Sequence, residues 1–215
     1  MKKKIDINLF DCFCSNIEKD FFDIETFFNI EHGQLELTLV SKNNLDNIVK
    51  KLSTQYKNKD IPYWLVGFST FEKVWVTVPN TKNIEELSKV ALHELVHLIS
   101  YKLNTQNKRL KLLDEGLAVF LSEQYGGKHY TPWVNSYFKN NLPHISDFCT
   151  YDSIEFANEK GYYYSYCIVE FLINSYGKDT FLEWLQNPNK FCKELPKLDK
   201  AFEKYILNEI EARIK

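Results

Sequence analysis

The first sixty residues alternate between helical and strand-like spacing of apolar side chains. Phenylalanine and isoleucine recur among acidic residues over 14–30 with the spacing of an amphipathic helix that packs on a core. Over 34–40, leucines at every second position alternate with polar residues, which is the period of a half-buried strand. A second helical pattern follows over 43–57. This opening predicts a helix, a strand and a helix.

Two runs rich in β-branched and aromatic residues, 63–69 and 73–79, come next and are separated by a three-residue connection. Their spacing predicts a β-hairpin. Asn83 and Glu86 have the spacing of a helix-capping pair, and a long apolar pattern over about 84–101 follows them. That pattern predicts a long helix.

The second half of the chain is dominated by helical spacing. We expect helices over 110–127, 161–177, 179–187 and 198–215, and an irregular segment with one or two short helices over 128–160. Because strands come early and helices late, the predicted fold class is α+β, with a small N-terminal mixed or antiparallel sheet followed by a mainly helical half. No linker composition marks a boundary, so residues 1–215 are predicted to form a single domain.

Composition and charge narrow the functional classes. The formal net charge is −2, so the chain lacks the basic field that attracts nucleic acid, and no nucleic-acid partner is predicted. No window approaches the roughly 18 apolar residues of a membrane span. Asp6, Asn8 and Asp11 interrupt the apolar run that a secretory signal needs, so we expect a cytoplasmic protein. The five cysteines contain no CxxC pair, which favours thiols over a disulfide framework.

The stretch ALHELVHLIS, residues 91–100, places two histidines in the middle of the predicted long helix. On an α-helix, His93 and His97 lie on one face about one turn apart, so their ring nitrogens can meet at one point. Neutral imidazole is a good zinc ligand, and Glu94 can approach a metal-activated water without binding the metal itself. The three residues therefore predict a zinc site with a general base.

A catalytic zinc site needs a third protein ligand and an open fourth position. Glu115 is the candidate, because the 17 residues that separate it from His97 allow one helix to end, the chain to reverse and the next helix to pack alongside. The alternative for Glu115 is a solvated carboxylate in the first turn of a helix. Gly116 leaves room for two helices to approach closely. Asp114 is a candidate for orienting a ligand histidine or for capping its helix.

HELVH, followed by LLDEGLAVF, resembles the gluzincin metallopeptidases, in the group called peptidase MA-like. The resemblance covers about 60–187 as the catalytic core and leaves 1–60 as an N-terminal extension. It implies a zincin-like fold with His93, His97 and Glu115 as ligands of a Zn²⁺ cofactor. It also implies Glu94 as general base and a peptide or protein as substrate, and it leaves the oligomeric state open.

The resemblance further implies a tyrosine or histidine that shares the charge of the tetrahedral intermediate. The segment YYYSYCIVEFL looks like the tyrosine-bearing helix of the family, and the family's Tyr-x-x-Ser pattern selects Tyr162. Tyr163 and Tyr164 stay open for the same role, and all three rings are equally compatible with packing. His129 and His144 are further candidates for the donor.

The predicted function is therefore a zinc-dependent metallopeptidase that hydrolyses peptide bonds through a metal-activated water, with Glu94 as general base. Strand 73–79 is interpreted in two ways, either as an exposed edge that pairs with an extended substrate or as an ordinary hairpin strand covered by a loop. The alternative is a catalytically inactive zinc-containing module that binds proteins. The intact Glu94 favours the enzyme, because a module that keeps only metal ligands does not need this carboxylate. A membrane-associated peptidase is disfavoured by the acidic residues of the amphipathic C-terminal segment.

Overall fold

The structure is a computed structural model of the chain. It describes residues 7–31, 35–54, 56–78, 83–104, 109–124, 143–150, 156 and 160–214. The chain separates into two compact units, residues 1–101 and 102–215. The assignment of 1–215 to a single domain with a catalytic core over 60–187 stays a prediction.

The first unit combines a small sheet with helices. Its elements are α1 (Ile7–Phe28), β1 (Glu36–Val40), α2 (Lys42–Leu52), β2 (Gly67–Ser69), β3 (Lys73–Thr77) and most of α3 (Ile84–Leu103). Strand β1 runs parallel to β3, and β2 pairs with β3 in the antiparallel direction, so the sheet is mixed. The predicted hairpin is confirmed, although β2 is shorter than the predicted strand over 63–69.

The interpretation of strand 73–79 as an exposed edge is wrong. Strand β3 is the central strand, because the order of the described sheet is β1-β3-β2. Val74 and Val76 are fully buried on one of its faces, while Trp75 packs on the other face against a cluster around Leu45 and Val49 of α2. A strand with apolar contacts on both faces and partners on both sides is a core strand. The edges of the described sheet are therefore β1 and β2.

Helix α3 begins where the capping pair predicts. The Asn83 side chain accepts a hydrogen bond from the Glu86 backbone N–H at 3.2 Å, which satisfies one of the unpaired donors of the first turn. From Val90 to Ser100, every residue except Glu94 is buried. Because a helix that is buried on nearly all sides has no solvent-facing stripe, its polar residues are exceptional. Those residues include His93 and His97.

The second unit is helical in its described residues. Its elements are α4 (Lys111–Ser122), α5 (Ile145–Phe148), α6 (Gly161–Tyr176), α7 (Lys178–Gln186) and α8 (Pro188–Ile214). Helix α8 begins earlier than the predicted start at 198 and continues through Pro196. Proline is favoured at a first helical position, which explains the start at Pro188. Of the irregular segment 128–160, the described part contains α5, and residues 128–142, 151–155 and 157–159 lie outside the described residues.

Helices α4 and α6 approach each other closely at Gly116. A Cβ added to Gly116 would lie 2.6 Å from the Ser165 carbonyl oxygen and 2.7 Å from Val169 Cγ2. The missing side chain therefore allows the close approach of two helices, and α6 is the partner of α4 at this point. Because Gly116 directly follows Glu115, this packing also fixes the backbone that carries the Glu115 carboxylate.

The described residues form mainly helices together with one small mixed sheet, as the predicted α+β class requires. Within the described ranges, no helix combines the length and the apolar character needed to span a bilayer. The sheet, α2 and most of α3 belong to the first unit, in which strand β2 contacts Glu94 of the HELVH stretch at Gly67.

Candidate metal centre

His93 and His97 point ring nitrogens at each other from successive turns of α3. Their Nε2 atoms are 3.0 Å apart, and the ring planes are inclined by 83°. The two residues are only 7% and 8% exposed. This geometry suits a hydrogen bond in which one imidazole donates to the other, and it also suits two ligands of one cation. Two nitrogens that bind a tetrahedral zinc at about 2.0–2.1 Å stand roughly 3.4 Å apart, close to the observed separation.

Glu115 completes a group of three metal-binding side chains. It is half-buried in α4. One ligand atom each from His93, His97 and Glu115 lies within 4.8 Å of the other two. Two imidazole nitrogens and one carboxylate oxygen are a donor set that zinc and other divalent transition metals accept. The described residues therefore include a His-His-Glu group that could hold a metal ion.

Glu94 lies directly against the backbone of strand β2. A Cβ placed on Gly67 would be 2.6 Å from both Cγ and Oε1 of Glu94. Gly67 was not among the residues predicted for the candidate site. The signal that could have revealed it is a glycine inside a strand pattern, which often marks the close approach of another group.

The three candidate tyrosines at the start of α6 have different surroundings. Tyr164 is fully buried, its hydroxyl donates to the Pro143 carbonyl oxygen, and its ring stacks on Phe148 at 4.4 Å. Burial raises the pKa of the Tyr164 hydroxyl well above its usual range. The ring and the hydroxyl of Tyr164 are therefore both engaged in the packing of the second unit. Tyr162 and Tyr163 are half-buried, and Tyr162 meets Phe156 edge-on at 5.3 Å. Tyr162 stays the predicted donor, with Tyr163 as the alternative.

Of the remaining candidates, His144 and Asp114 lie near the first turns of helices. The side chain of His144 is 73% exposed, and its Nδ1 lies 3.7 Å from the Asp199 carboxylate. His129 lies outside the described residues. The Asp114 carboxylate accepts a hydrogen bond from Arg109 at 2.7 Å. Leu110 occupies the N-cap position of α4 without a side-chain hydrogen bond, so the capping role suggested for Asp114 is wrong.

The five cysteines are present as thiols, as the absence of CxxC spacing predicts. Burial, followed by the nearby Cys192 and Asp199, raises the pKa of the Cys149 thiol to about 12. The thiolate is the form that binds metals and attacks electrophiles, so a raised pKa keeps Cys149 inert at neutral pH.

No protein-family model matches the chain, and comparisons with curated proteins and with solved structures find no significant match. The resemblance to gluzincins rests on HELVH, on the downstream EGLA and on the distance between them. The functional interpretation is carried by the His-His-Glu group and by the half-buried Glu94 beside it.

Proposed function

We propose that the protein is a zinc-dependent metallopeptidase of the gluzincin type with a zincin-like fold. The observation that carries the proposal is the buried pair of imidazoles, with Nε2 atoms 3.0 Å apart, grouped with the Glu115 carboxylate. Zinc held by these three residues would supply a Lewis acid that polarises the scissile carbonyl and lowers the pKa of water.

Glu94 acts as the general base and then as the general acid. It is the one residue between Val90 and Ser100 that keeps partial exposure, so its carboxylate can reach a reacting water while its neighbours stay in the core. Glu94 takes the proton of the attacking water and passes it to the amine as the C–N bond breaks. Both proton transfers need the carboxylate to be within hydrogen-bond reach of the reacting atoms.

Strand β2 supports a peptide as the substrate. In its pairing with β3, Val66 O accepts from Thr77 N at 2.8 Å, and Thr70 N donates to Lys73 O at 2.9 Å. Because hydrogen-bonded positions alternate along an antiparallel strand, the backbone groups of Gly67 point away from β3, toward the edge. An extended peptide that adds to this edge passes beside Glu94, since Gly67 lies against that side chain.

A second candidate function is a noncatalytic module that binds proteins. Large apolar side chains are exposed at and beside the hairpin, including Tyr63 at 88% and Phe71 at 51%. Exposed apolar groups of this kind mark surfaces that contact partners. A peptidase and a binding module would both use such a surface, so turnover is the property that separates them.

Cleavage of a peptide library tests the proposed function. Zinc-loaded protein is incubated with mixed peptides, and new termini are followed over time by mass spectrometry. We expect cleavage that stops when a chelator removes the metal and returns when stoichiometric zinc is added. His97→Ala protein, purified in the same way, controls for contaminating peptidases. Zinc-loaded protein that binds peptides without cleaving any of them would favour the binding module instead.

Removing the tyrosine hydroxyls one at a time tests the donor assignment. Tyr162→Phe is expected to lower kcat about 100-fold with little change in KM, because it removes a hydrogen bond made to the developing oxyanion. Tyr164→Phe is expected to leave kcat unchanged and to lower the free energy of unfolding by about 1 kcal/mol, because the Pro143 carbonyl loses its donor. Steady-state kinetics and urea unfolding measure the two effects. A large loss of kcat at Tyr163→Phe alone would transfer the role to Tyr163.

A further inference from the structure

Gly67 occupies a position in β2 where a side chain has no room. It pairs with Val76, which is fully buried, and residues directly opposite in a sheet share a face. On that face, a Cβ at Gly67 would stand 2.6 Å from Glu94 Cγ, 2.6 Å from Oε1 and 2.9 Å from Cδ. Carbon atoms in favourable contact are about 3.5–4.0 Å apart. An alanine at this position would therefore overlap the Glu94 side chain.

The backbone conformation at Gly67 does not by itself require glycine. Among the described glycines, the left-handed φ belongs to Gly177, at 83°. A glycine in a strand loses more conformational entropy on folding than alanine and brings no side chain to pack. The contribution of Gly67 is therefore the space that its missing Cβ leaves for Glu94.

We propose that Gly67 is a positioning residue that fixes where the Glu94 carboxylate lies. Strand β2 is hydrogen-bonded to β3, and α3 is buried on both sides of Glu94, so both backbones are held in place. The atoms that a new Cβ would meet belong instead to a side chain with rotatable bonds. An added methyl group moves the carboxylate, and the main chain of α3 stays where it is.

The proposal extends the assignment of Glu94 as general base, and its catalytic consequence rests on that proposed function. A displacement of about 1 Å in a reacting group can cost roughly 100-fold in rate. Gly67→Ala is therefore expected to lower kcat about 100-fold. Zinc content is expected to stay at the wild-type level, because Gly67 contacts Glu94 and the metal group consists of His93, His97 and Glu115.

A double-mutant cycle on stability tests the positioning without using activity. The four proteins are wild type, Gly67→Ala, Glu94→Ala and the double variant, all studied with the metal removed. Their urea midpoints are compared. We expect Gly67→Ala to lower the midpoint when Glu94 is present and to leave it equal or raise it when residue 94 is alanine, because the overlapping atoms are then gone.

Each outcome of the cycle decides the proposal. An equal change of midpoint in the two backgrounds, whether a loss or no change, would overturn it, because the effect of the added methyl would then not depend on the Glu94 side chain. If Gly67→Ala fails to fold, folding of the double variant supports the proposal, and failure of both overturns it. Absence of peptide hydrolysis in the wild type contradicts the proposed function, while the cycle still decides whether Gly67 positions Glu94.

Discussion

Replacing Glu94 with glutamine is expected to abolish peptide hydrolysis while the protein keeps its fold and its metal. Glutamine has the same shape and number of heavy atoms, so the side chain still fits the space beside Gly67. Its amide cannot take a proton from water at neutral pH, and loss of a general base lowers rates by about 10²–10⁴-fold. The metal stays because Glu94 is not part of the His-His-Glu group.

The measurement combines kcat/KM on a peptide from the library, the zinc content per chain and the urea midpoint. Glu85→Gln is the matched control, since it makes the same chemical change on the exposed first turn of α3, where Glu85 pairs with Lys89. A surface pair of this kind contributes about 0–1 kcal/mol, so this variant is expected to behave like the wild type. A Glu94→Gln protein with undiminished kcat would assign the base to another residue.

Much of the fold follows from local spacing in the sequence. The helix over about 84–101 is observed as Ile84–Leu103, because the capping residues and the continuous apolar pattern are properties of adjacent residues. The order of the strands in the sheet does not follow from local spacing. Whether β3 is an edge or the centre depends on β1, more than thirty residues earlier in the chain, and the period of a strand contains no information about its neighbours. This is why the sequence left both interpretations of strand 73–79 open.

The candidate site likewise contains some features that local sequence predicts and others that depend on tertiary packing. His93 and His97 are in contact because a spacing of four residues places them on one face of a helix. This spacing can be read from the sequence alone. Three consecutive tyrosines turn by about 100° per residue on a helix, so the sequence indicated that their surroundings differ without saying which ring is buried. The contact between Gly67 and Glu94 joins residues 27 positions apart, and only the packing of β2 on α3 reveals it.

Replacing His97 with alanine is expected to remove the metal altogether. Wild-type protein should carry about one zinc per chain, since His93, His97 and Glu115 supply three ligands and leave one position open. Loss of a residue that merely orients a ligand already weakens metal binding by about 10–100-fold, so loss of a ligand should cost at least as much. Elemental analysis after dialysis and competition with a chromophoric chelator measure the content and the affinity.

The urea midpoint gives an independent readout of the same site. Zinc at about 100 times its dissociation constant adds roughly 2.7 kcal/mol to the free energy of unfolding, so added zinc should raise the midpoint of the wild type and leave that of His97→Ala unchanged. His144→Ala, which changes an exposed histidine, should keep the shift. Glu115→Ala should lose it if this carboxylate is the third ligand. A wild type without any uptake of zinc would reduce the 3.0 Å contact to a hydrogen bond between two buried imidazoles, and Glu94 would then have no metal-activated water to deprotonate.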